Sequence, residues 1–166
     1  MYTIISGTNR PESNTLKIAR EYRKLLLQKG QQVHLLSLEG LDVLLPNPVF
    51  AEVERELLIP VPKFIFISPE YNGSIPGVLK AMFDISDIQK SWWNKRALMT
   101  GVSTGRAGNL RGMEHLTGIL NYMKVTVHHN KLPISVVNTL LDPAGEITDA
   151  RTMDSINNQL DEFIKF

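Results

Sequence analysis

A chain of 166 residues, 43% hydrophobic and 21% charged, has the composition of one compact folded domain, expected to take up the whole of residues 1–166. A formal net charge of +1 without a long basic cluster argues against a nucleic-acid partner, and no apolar run approaches the roughly 20 residues that span a bilayer. The absence of cysteine excludes disulfides, thiolate metal sites and thiol redox chemistry.

In chain order, Thr3 to Ile5 is a short β-branched strand that opens the chain without a basic leader, so a cytoplasmic location is expected rather than secretion. A helix begins near Ser13, a good N-cap. Ile18, Ala19, Tyr22, Leu25 and Leu26 make its apolar face, and Gly30 closes it. Gln32 to Leu38 reads as the second strand. Pro46, Pro48, Pro60 and Pro62 leave room for only a short helix over Phe50 to Leu58. Phe64 to Ser68 is the third strand. Ile75, Val78, Leu79, Met82 and Phe83 then follow helical spacing, with Pro76 in the first turn. Ala97 to Val102 is the fourth strand, Leu110 to Met123 a helix, and Lys124 to His128 the fifth strand. Asp142-Pro143-Ala144-Gly145 is a turn, and Met153, Ile156, Leu160 and Phe163 form a last helix capped at Thr148 or Asp149. This alternation is an α/β, three-layer sandwich on a five-stranded parallel sheet.

Three strand-to-loop passages carry the chemistry. After the first strand come Ser6, Thr8, Asn9, Arg10, Ser13, Asn14 and Thr15: hydroxyls, amides and one cation, at the start of a helix. Unpaired N–H groups and the positive dipole end there suit a phosphate, although the same residues are also ordinary turn and cap formers. Neither Gly-x-Gly-x-x-Gly nor Gly-x-x-x-x-Gly-Lys-Ser/Thr is present at this loop, which sets aside the dinucleotide and triphosphate loops. After the third strand run Pro69, Glu70, Tyr71, Asn72, Gly73 and Ser74, with Asn72-Gly73 suited to positive-φ backbone. After the fourth come Ser103, Thr104, Gly105 and Arg106. In a sheet of order 2-1-3-4-5 the carboxyl ends of strands one, three and four meet at the switch point, so all three loops face one crevice.

These residues resemble the NADPH-dependent FMN reductase family, which includes flavodoxin-like quinone and azo reductases. Ser6-Gly7-Thr8-Asn9-Arg10 with Ser13-Asn14, then Pro69 to Lys80, then Ser103-Thr104-Gly105-Arg106-Ala107-Gly108 fall in the family's order over almost the whole chain. The resemblance implies a flavodoxin-like fold, FMN as cofactor, NADPH or NADH as hydride donor, and a small-molecule electron acceptor such as a flavin, quinone or azo compound. It also implies that Ser6 to Thr15 hold the FMN phosphate while Pro69 to Gly73 and Ser103 to Arg106 border the isoalloxazine. A homodimer or homotetramer is expected. No catalytic acid or base is assigned, since hydride transfer to flavin N5 does not demand one. The alternative is a non-enzymatic FMN-binding electron carrier or an interaction protein. The chain departs from the family in having Thr8-Asn9-Arg10 where Ser-x-Arg is commoner, and in a short segment from Gly40 to Pro62.

Other candidates read more plainly. His128 and His129, adjacent on a strand, would point to opposite faces, so no metal site is expected. His115 lies mid-helix. No Gly-x-Ser-x-Gly elbow supports a hydrolase. Trp92 and Trp93 have three readings: flavin cover, subunit contact or packing.

Overall fold

The computed structural model describes residues 1–166. The strands are β1 (Tyr2–Ser6), β2 (Val33–Ser37), β3 (Lys63–Pro69), β4 (Arg96–Val102), β5 (Thr126–Val127) and β6 (Leu132–Ile134). The helices are α1 (Asn14–Gln28), α2 (Pro48–Val53), α3 (Gly77–Ile85), α4 (Ile88–Ser91), α5 (Leu110–Tyr122) and α6 (Ala150–Lys165). The sheet runs β2-β1-β3-β4-β5 with every pair parallel, and β6 also pairs with β4. This is the flavodoxin-like order expected from the sequence. No helix is long and apolar enough to cross a membrane.

Strand alternation builds the three layers. Ile5, Phe64, Phe66, Ala97 and Met99 face one side, where α3 and α5 supply Leu79, Met82, Phe83, Met113, Leu116 and Leu120. Ile4, Ile65, Ile67 and Leu98 face the other, against Ile18, Tyr22 and Leu26 of α1 and Ile156, Leu160 and Phe163 of α6. Both faces are covered, so the central strands are apolar without interruption, as parallel sheets require. Trp92 belongs to the first layer. It is fully buried against Phe64 and Phe83 at 4.9 and 5.1 Å, and its indole N–H donates to Ser86 Oγ at 2.7 Å. The Trp93 ring lies beneath Lys124 Nζ at 3.6 Å.

Element ends follow local chemistry. Ser13 Oγ accepts from Leu16 N–H at 3.1 Å to start α1, and Gly30 at φ 73° ends it. Asn47 caps α2, with Pro48 in the first turn, and α2 continues into one π turn over Glu54–Leu58. Pro76 sits just ahead of α3 rather than within it. Asp149, not Thr148, caps α6, accepting from Thr152 N–H at 2.7 Å.

The fifth strand departs from its expected form. Lys124 to His128 yields only Thr126–Val127, which pairs with Arg96 and Ala97. The chain loops out over 128–131 and rejoins β4 as Leu132–Ile134, opposite Thr100 to Val102. The gap is filled by a side chain from α6. Buried Gln159 donates through Nε2 to the carbonyls of Met99 (3.1 Å) and Asn130 (2.8 Å), and its Oε1 accepts from Tyr22 Oη (2.6 Å) and Thr100 Oγ1 (3.2 Å). Burial pushes the Tyr22 phenol far above its ordinary pKa, so it stays a donor at any working pH. Gln159→Leu takes the amide away from the Met99 and Asn130 carbonyls at nearly constant volume and leaves the Tyr22 and Thr100 hydroxyls only each other, 2.7 Å apart. We expect a loss of about 3 kcal/mol in urea unfolding, since each stranded buried polar group costs about 1–3 kcal/mol.

Candidate functional site

The carboxyl ends of β1, β3 and β4 open onto one cleft of about 670 Å³, within the range of ordinary small-molecule sites. Of the residues singled out from the sequence, Thr8, Arg10, Ser13, Asn14 and Thr15 line it from the first loop. Pro69, Glu70, Tyr71, Asn72 and Gly73 line it from the second, and Ser103, Thr104, Gly105 and Arg106 from the third. Ser6 and Asn9 are not on its wall: Ser6 is buried at the end of β1, and Asn9 is exposed. The sequence reading omitted Pro11, Glu12, Val102, Ala107 and Val137, which also line the cleft.

At one end of the cleft lies the start of α1. Ser13 takes the N–H groups of Leu16 and Lys17, leaving those of Asn14 and Thr15 as the first-turn donors without an intrahelical acceptor. The loop before it is set by backbone. Gly7 N–H donates to Ile67 O at 2.8 Å, and a Cβ on Gly7 would lie 3.0 Å from Leu79 Cδ2 and 3.2 Å from Ile67 O. Glu12 takes φ 47° to turn the chain into the helix.

The second loop is a tight hairpin. Asn72 and Gly73 adopt φ 52° and 79°, and Tyr71 and Ser74 exchange both backbone hydrogen bonds at 2.9 and 3.1 Å, the geometry that favours Asn-Gly. Tyr71 joins this loop to the first. Its hydroxyl lies 2.5 Å from Thr8 Oγ1, and the Arg10 guanidinium sits 4.2 Å above its ring. Beyond the hairpin, Ser74 Oγ lies 2.8 Å from Nδ1 of exposed His115.

The third loop is organised from within. Ser103 Oγ donates to Gly105 O at 2.8 Å and accepts from Gly108 N–H at 2.9 Å, so this hydroxyl is committed to the loop. The N–H groups of Thr104, Gly105 and Arg106 donate to no protein group. Val136 and Val137 brace the loop from outside, donating to Gly105 O and Ser103 O, both at 3.0 Å. Only the return of the chain through β6 brings Val137 here, a long-range effect without a local signal.

The donor set suits a flavin mononucleotide: a helix start and hydroxyls for a phosphate, an exposed arginine beside them, and free main-chain N–H groups for a polar ring edge. Ser6 Oγ is buried at the root of the first loop without a hydrogen-bond partner, a polar atom left over from the protein's own bonding.

A family model described as NADPH-dependent FMN reductase matches residues 2–138. This chain belongs to the NADPH-dependent FMN reductase family. Among its relatives is the NAD(P)H-dependent FMN reductase of Pseudomonas aeruginosa, 28% identical over an alignment 144 residues long that covers 81% of this chain and 78% of that protein. The quinone reductase of Escherichia coli K12 is 30% identical over 123 residues, 72% of this chain and 65% of that one. The fold is that of FerB, a flavoenzyme NAD(P)H:(acceptor) oxidoreductase from Paracoccus denitrificans, with a TM-score of 0.79 at 22% identity, covering 99% of this chain and 94% of that chain. A flavodoxin from Pseudomonas aeruginosa has a TM-score of 0.66 at 17% identity, covering 98% and 95%. Membership of that family makes this chain an oxidoreductase that uses FMN and NAD(P)H.

Proposed function

We propose that residues 1–166 form a single FMN-binding domain. In it, the first loop holds the phosphate, while Pro69 to Gly73 and Thr104 to Arg106 border the ring and electrons pass from NAD(P)H to a small acceptor such as a quinone, a flavin or an azo compound. The observation that carries this reading is the convergence of three loops from β1, β3 and β4 on one cleft, with unpaired donors at two separate places on its wall. FMN, when bound, supplies two-electron redox chemistry, and the protein supplies position and electrostatics.

The chain's own groups divide the work. Asn14 and Thr15 N–H, the hydroxyls of Thr8 and Thr15 and the Arg10 guanidinium neutralise and fix a phosphate. The N–H groups of Thr104 to Arg106, with the Arg106 cation, favour negative charge on a ring edge lying against them. The Asn72-Gly73 turn lets backbone approach the ligand where a side chain would stand. Relatives named quinone reductase support a quinone as acceptor. We take the working form to be a homodimer or homotetramer in the cytoplasm. The groove of Ile75, Phe83, Ile119 and Tyr122 opens beside Ser74, next to the flavin hairpin, and Tyr122 is 81% exposed there.

The test is a visible spectrum of the purified protein, taken with added FMN and then with NADPH in the absence of oxygen. Flavin bands near roughly 370 and 450 nm should stay with the protein on filtration, bleach with NADPH and return on addition of a benzoquinone. Bleaching by dithionite alone would restore the electron-carrier reading, and FMN that passes the filter would remove the site.

A further inference from the structure

A second cluster of chemistry-bearing side chains lies far from the cleft, where the fifth strand breaks. Because β5 ends at Val127, strand alternation does not separate the two histidines. The His128 and His129 rings lie side by side with centroids 4.4 Å apart. Glu162 of α6 completes the group, and one ligand-capable atom from each of the three residues lies within 4.8 Å of the others. We propose that His128, His129 and Glu162 form a binding site for a divalent transition-metal ion of the zinc type, with the remaining position left to water.

The cluster is held rather than incidental. His128 is 2% exposed, packed edge-on against Phe163 and Phe166 at 5.8 and 4.9 Å. Asn130 organises the other members. Its Nδ2 donates to Glu162 Oε2 at 2.8 Å, its N–H donates to His128 Nδ1 at 3.3 Å, and its carbonyl accepts from Gln159. The set therefore has one fixed imidazole and one oriented carboxylate, with His129 exposed and free to swing. Zinc–ligand bonds of about 2.0–2.2 Å place tetrahedral ligand atoms roughly 3.4 Å apart. From their separations of 4.8 Å or less, exposed His129 and Glu162 need to close in by at most about 1.4 Å.

The donor types select the metal. Two imidazoles and a carboxylate suit zinc, copper or nickel, whereas magnesium takes oxygen and water. The local charge sharpens this. Lys63 Nζ is pinned to the carbonyls of Phe163 and Ile164, and the Arg96 guanidinium lies over Phe166, so the neighbourhood does not attract cations as such. Affinity must come from nitrogen ligation. Position also fixes the role. His128 N–H bonds Ala97 O near the start of β4, while the cleft begins at Val102, five residues further, about 16 Å along a strand. A bound ion would clip α6 to the interrupted strand and leave flavin chemistry alone.

Titration calorimetry of the flavin-loaded protein with zinc chloride at pH 7.5 tests this. One ion per chain is expected, with at least a ten-fold loss of affinity in His129→Ala and in Glu162→Gln, no loss in His115→Ala, and no response to magnesium. Both informative variants change exposed residues, and retained flavin content checks their folding. Rates of flavin reduction should be equal with zinc and with chelator. Absence of saturable zinc binding, or wild-type affinity in both His129→Ala and Glu162→Gln, overturns the site.

Discussion

Ser13→Asp should weaken FMN binding about 100-fold or more while leaving the flavin-free protein as stable as before, or slightly more so. Aspartate caps a helix as well as serine does, and a negative charge in the first turn adds about 0.3–1 kcal/mol through the dipole. The fold therefore does not suffer. A phosphate held at this helix start, however, carries a charge near −2 and would face the new carboxylate, for which a separation of roughly 5 Å serves as an order-of-magnitude illustration. At an effective dielectric constant of about 20, that repulsion costs about 3 kcal/mol per unit charge before screening. Fluorescence titration with FMN and with riboflavin separates the causes, because riboflavin has no phosphate and its affinity should barely change. Equal losses for both ligands would mean that the ring, not the phosphate, lies at this loop.

Gly101→Ala is the other large effect, and it acts through the third loop. A Cβ built on Gly101 would stand 2.0 Å from Gly108 O and 3.0 Å from Asn109 Cβ. The obstacle is backbone, not the flexible end of a side chain. Gly108 cannot retreat, since it already takes φ 55° and its own Cβ position lies 2.5 Å from Pro133 Cβ. Asn109 is anchored as well, through Nδ2 to Ser68 O at 2.8 Å. Overpacking a core typically costs about 1–3 kcal/mol, and with backbone as the obstacle about 3 kcal/mol or more is expected here in chemical denaturation. Whatever structure remains should carry a displaced Ser103–Gly108 loop and lose flavin affinity with it. A denaturation midpoint equal to that of the wild type would show that the loop yields cheaply.

Much of the fold was legible because the signal was local. Phe64 to Ser68 reads as a buried strand since both faces of a parallel sheet are covered, and Asn72-Gly73 announces a turn that only a few residue types tolerate. Ser13 and Gly30 mark the two ends of α1 by cap chemistry alone. The break in the fifth strand was not legible. It depends on Gln159, about thirty residues away, replacing a strand's hydrogen bonds with an amide, and nothing near His128 announces that. The expectation that the two histidine rings point to opposite faces failed for the same reason, because alternation holds only while the strand lasts. Val137 reached the cleft wall through that same return of the chain. Ser103 was correctly placed in the third loop but not in its bonding, since a hydroxyl's partners are set by how the loop closes on Gly105 and Gly108.

The interrupted strand also bears on how the molecule behaves in a crowd of copies. A long, flat, unpaired strand at the margin of a sheet is a template on which another chain can lay its own backbone and begin a fibre. Here the margin beyond β4 is cut into pieces of two and three residues, separated by a loop bearing two imidazoles, an amide and Lys131. An incoming strand would find no run of evenly spaced donors and acceptors to match. The Gln159 amide that repairs the gap is a local substitute offering nothing to extend. The break thus guards this flank against runaway strand addition, which a continuous fifth strand would have left open.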